Sequence, residues 1–103
     1  HSISTFWRSK VFPMVEYSFV AHALRDYLRG FVGPSELSYI DSPLASGEAF
    51  TSILASLHVA VEHGVALPEL YVQHIFVLPG LSESESSALN ECVKLLPRFE
   101  TAA

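Results

Sequence analysis

The chain has 103 residues, enough for one compact domain with a single hydrophobic core. Half of its residues are apolar and 17% are charged, which excludes a disordered segment. Six Lys and Arg stand against eleven Asp and Glu, a formal charge of −5 that provides no basic stripe for a phosphate backbone and argues against direct nucleic-acid binding.

The first residues give no single reading. Ile3, Phe6, Trp7, Val11 and Phe12 are interleaved with Arg8 and Lys10, a pattern open to a strand, an arm or a helix. His1 in place of an initiator Met reads as a tag remnant or a trimmed terminus and is given no role. Pro13 then fits the first turn of a helix running to about Arg29, with Gly30 just past its end. Residues 31–42 contain Gly33, Pro34 and Ser35 and read as a connection, with a short extended piece at 37–40.

A second helix is signalled by Ser42 before Pro43 or by Ser46 before Gly47, and should run to His63 with Gly64 as its left-handed cap. Residues 68–78 start like a helical turn at Pro68 and Glu69, yet Tyr71, Val72, Ile75, Phe76 and Val77 are strand formers, and periodicity does not decide between the two. Ser82 and Glu85 form a capping-box pair that opens a helix over 82–96, closed by Pro97. The expected fold is a mainly α single domain, 1–103, of about four helices, with 1–12 as an arm or tag-adjacent segment. The alternative is α+β with short strands near 37–40 and 70–78.

Placed at about 100° per residue, the second helix sets Phe50, Ile53, Leu54, Leu57, Ala60 and Val61 opposite Glu48, Thr51, Ser52, Ser56, Glu62 and His63. The last helix sets Ala88, Leu89, Cys92, Val93, Leu95 and Leu96 opposite Ser86, Ser87, Asn90, Glu91 and Lys94. The first helix is different, because Ser18, His22, Arg25, Asp26 and Arg29 crowd into about a third of its circumference and apolar residues fill most of the rest. An apolar arc that wide is either central in a core or shared with another chain. In a domain too small to hide half of its residues, partner contact or self-association is the expectation. The candidate partner-binding residues are Phe6, Trp7, Phe12, Tyr17, Phe19, Val20, Tyr27, Leu28 and Phe31, each with core packing as the competing reading.

No catalytic or cofactor set emerges. Five His occur without a compact zinc spacing, the His22/Asp26 and His58/Glu62 pairs fit solvated i,i+4 contacts, and His74 fits a core position. Cys92, the single cysteine, cannot form an intramolecular disulfide, and on an apolar helix face it has no base beside it. Ser82 to Ser87 cap a helix and show no nucleophile elbow, and the five glycines are isolated rather than gathered in a phosphate cradle. The expectation is a protein that is not an enzyme, holds neither metal nor cofactor, and is soluble and cytoplasmic. No stretch approaches the roughly eighteen uninterrupted apolar residues of a membrane span.

The stretches SKVFPMVEYSFVAHALRDYLRGF and ASLHVAVEHGV, followed by a capped closing helix, give the chain an overall pattern that resembles the QslA-like antiactivators of pseudomonad quorum sensing. The resemblance spans most of the chain and carries no diagnostic motif, so it transfers no binding residue individually. It implies a regulator that binds the ligand-binding domain of a LuxR-type transcription factor and blocks its dimerisation and DNA binding, while the expectation of a homodimer rests on the excess of apolar surface. Competing functions are a small-molecule-binding protein or a structural subunit of a larger assembly.

Overall fold

The structure, a computed structural model, describes residues 12–97, with side chains from Glu16 onward. It is a small mainly α domain. Five helices follow one another among the described residues: α1 (Phe12–Leu28), α2 (Pro34–Ala45), α3 (Ala49–Glu62), α4 (Glu69–Phe76) and α5 (Glu83–Leu95).

Helix α1 starts with Pro13 inside its first turn and ends in a turn in which the Phe31 amide donates to the Leu28 carbonyl at 2.8 Å. Helix α2 was unexpected, since Gly33, Pro34 and Ser35 are turn residues by type. Here the same residues start a helix: Gly33 is the N-cap, Pro34 takes the first position, and Glu36 reaches back to accept from the Gly33 amide at 3.2 Å. No strand forms at 37–40, and Ile40 is fully buried on the inner side of α2.

Neither Ser42 nor Ser46 caps α3. Ser42 and Pro43 lie inside the last turns of α2, where proline removes one ladder donor from an outward-facing turn, and Ser46 ends α2 by donating its hydroxyl to the Ser42 carbonyl at 3.1 Å. Gly47 then takes φ 78°, and Glu48 precedes α3 without a side-chain cap bond. Gly64 ends α3 as expected, with φ 65° and the following Val65 amide reaching back to the Ala60 carbonyl at 2.8 Å.

The ambiguous segment at 68–78 is helical, not a strand: Glu69–Phe76 forms α4, begun by Tyr71 and Val72 amides that donate to the Pro68 carbonyl. Its strand formers Val72 and Ile75 serve a helix because they turn towards the core, as Leu78 does just past its end, while Leu70, Gln73 and His74 face out. His74 is therefore a surface residue. Helix α5 has the expected capping box: the Glu85 amide donates to Ser82 Oγ at 3.1 Å, and the Ser82 amide donates to Glu85 Oε1 at 2.9 Å.

Helix α3 is the hub, packed against α1, α2 and α5, while α4 lies against α1 and α5. Its burial corrects the reading of one polar face, because Ser52 and Ser56 are both fully buried together with Ile53, Ala55, Leu57, Val59 and Ala60. Small side chains let neighbouring helices approach that side, and Ser52 Oγ satisfies its hydroxyl by donating to the Ile40 carbonyl of α2 at 3.0 Å. In α5, Leu89 and Cys92 reach the core as expected, but Leu95 is 69% exposed. The Arg25 guanidinium joins α1 to α2 with two bonds to the Asp41 carboxylate, Nε to Oδ1 at 2.9 Å and Nη2 to Oδ2 at 3.1 Å.

Candidate functional site

Fully buried residues divide α1 lengthwise. Val20, Ala21, Leu24 and Leu28 face inward, and Phe19, Ala23 and Tyr27, at i, i+4 and i+8, form a second stripe directed at α4. Helix α4 answers with Leu70, Tyr71 and His74. Between the two lies an apolar groove of about 270 Å³, floored by Val20 and Leu24 and flanked by Phe19 and Leu70. Phe19 is 65% exposed and Leu70 60%. Large apolar side chains left open beside a preformed groove are what a docking surface offers, and single exposed ones are not.

Aromatic packing holds the α1–α4 wall. Tyr27 meets Tyr71 edge to face with ring centroids 5.5 Å apart and interplanar angle 79°, and meets Phe31 at 5.1 Å. The Tyr27 hydroxyl donates to the Ala66 carbonyl at 3.4 Å, tying α1 to the segment that leads into α4. Phe31, 56% exposed, follows α1 as a further open ring.

The candidate residues thus separate. Phe19, Tyr27 and Phe31 reach the surface around the groove or beside it. Leu28, 0% exposed, is a core residue, and Val20, 3% exposed, packs in the core while its outer edge forms part of the groove floor. Tyr17 belongs elsewhere: its ring lies 6.4 Å from that of Phe50 in a different cleft, and its hydroxyl bonds the Pro79 carbonyl. Phe12 opens α1, and Phe6 and Trp7 lie outside the described residues. Leu70, Tyr71, His74 and Ala23 were missed as site residues. The i,i+4 spacing of Leu70 and His74 carried the signal, hidden by the strand-like composition of the segment around them.

The described residues bring no three His, Cys, Asp or Glu side chains into a metal-binding group. Among the described residues neither His22/Asp26 nor His58/Glu62 forms an ion pair, and Asp26 instead meets Arg25 at 3.3 Å. Burial, and secondarily the charge of Glu91, push the Cys92 thiol up, away from the thiolate a nucleophile needs. No helix among the described residues is long and apolar enough to cross a membrane. Comparison with protein families, curated proteins and solved structures finds no match.

Proposed function

We propose that this chain is a regulatory protein-interaction module that offers the α1/α4 groove to a partner protein. The observation that carries the reading is the placement of Phe19 and Leu70, both mostly exposed, on the two walls of one apolar groove. The resemblance at the level of sequence supports a narrower version, in which the partner is the ligand-binding domain of a LuxR-type transcription factor, met in the cytoplasm; the excess of apolar surface supports a homodimer of this chain. A module that prefers the monomeric factor withdraws it from the dimer by mass action, to an extent set by its differential affinity for the two forms.

The test mixes the purified chain with a purified LuxR-type ligand-binding domain and follows mass by light scattering after gel filtration. The expected result is a complex formed at the expense of the factor's dimer, lost in Phe19→Glu and in Leu70→Glu while both variants melt like the parent. An undisturbed dimer across the concentration range removes the LuxR-type partner. A complex that survives both substitutions removes the groove.

A further inference from the structure

A second cleft lies where Tyr17, Ser18 and His22 of α1 meet the α2–α3 turn, the first turn of α3 and the Pro79–Gly80 turn before α5. Its volume is about 700 Å³, within the range of small-molecule sites. Two aromatic rings, Tyr17 and Phe50, tilted by 52°, supply apolar surface. Two acidic residues, Glu48 of the α2–α3 turn and Glu85 of α5, line it, and its described lining includes His22 but no Lys or Arg.

We propose that this cleft binds a small organic cation, a primary alkylammonium carrying an aromatic or aliphatic tail. Carboxylates with π faces beside them favour that chemistry over anions and over neutral ligands: the ammonium gains charge-assisted bonds and ring quadrupole attraction while its tail covers the apolar wall. The frame is already in place. Tyr17 is fixed by its bond to Pro79, and Glu85 by its cap bond to Ser82, which leaves the second carboxylate oxygen for a ligand. Gly47 and Gly80 line the cleft at positive φ, and nothing lies within 4 Å of the position a β-carbon would take at either, so the rim is open. The negative potential reaches the aromatic wall, since Glu85, after burial, helps to hold the Tyr17 hydroxyl above its ordinary range.

The probe is phenethylammonium chloride, titrated into the ¹⁵N-labelled full chain and compared with 2-phenylethanol, its neutral counterpart. Saturable shifts at the Gly47, Phe50 and Gly80 amides are expected, weakened at least about tenfold for the alcohol and for Glu48→Gln/Glu85→Gln. Glutamine keeps the capping box at position 85, so charge is removed and the helix start is retained. Should the pair of substitutions unfold the chain, Glu48→Gln alone decides, because Glu48 makes no side-chain cap bond. The proposal is overturned by the absence of saturable shifts up to about 10 mM, by shifts centred on the α1/α4 groove, by equal binding of the alcohol, or by full affinity in the folded Gln variant.

Discussion

The hydroxyl of Tyr17 donates a 2.7 Å hydrogen bond to the carbonyl of Pro79, 62 positions further along the chain. It fastens the start of α1 to the turn that delivers α5. Tyr17→Phe keeps the ring against Phe50 and removes only this bond, at a cost of about 1 kcal/mol in urea unfolding. Burial first, and the charge of Glu85 second, raise the Tyr17 hydroxyl above its ordinary 10.0. A raised acid of this kind contributes stability that is complete below pH 10 and is lost as pH rises through the folded value. The gap between parent and Tyr17→Phe should therefore narrow in strong alkali, and a gap independent of pH would remove the linkage.

Two serines one helical turn apart in α3 should respond with opposite signs. Ser52 donates to the Ile40 carbonyl, whereas the fully buried Ser56 hydroxyl has no partner. Ser52→Ala is expected to destabilise by about 1 kcal/mol, and Ser56→Ala to stabilise by about the same amount, because it deletes a desolvated polar group with no bond to lose. Chemical denaturation of the two variants side by side reads the difference, and equal signs would show that the Ser56 hydroxyl is satisfied in solution.

Glu36 sets part of the acid limb of stability. Its own backbone amide is the largest cause holding its carboxyl below 4.5, with Ser35, His63 and Gly33 adding to the effect. A depressed carboxyl contributes stability present above the unfolded value and lost as pH falls through the folded one. Glu36→Gln, which keeps the bond to Gly33, should melt lower than the parent at neutral pH and converge with it below pH 4.5. A difference in melting that stays constant across that range would contradict the assignment.

Cys92, 7% exposed, should be inert to Ellman's reagent in the folded chain and react only as the chain opens. Labelling in increasing urea should follow the loss of helical dichroism. Fast labelling in native buffer would place the thiol outside the core and break the register of α5.

Much of this architecture was legible in the sequence where a local signal named its own partner. Ser82 with Glu85 predicts both ends of a pair of hydrogen bonds, and Gly64 predicts a left-handed residue; both hold. Helix α2 escaped because Gly33, Pro34 and Ser35 are shared vocabulary of turns and helix starts, and only the reach of Glu36 back to Gly33 separates the two. The groove escaped for a different reason. Its α1 wall was visible as an over-wide apolar arc, but which part of that arc closes on α3 and which faces α4 depends on packing between distant segments. Val20 and Phe19 are adjacent in sequence and end at 3% and 65% exposure.

The burial of α3 sets a hierarchy of motion. A helix clasped by three others gives up its amide protons to solvent only when the whole domain opens, so its exchange rates should report global stability. Helix α4 has eight residues and touches only α1 and α5, so it can detach at much lower free energy. The groove therefore has one stiff jaw and one compliant jaw, and a partner that presses on Leu70 meets the half of the site able to yield.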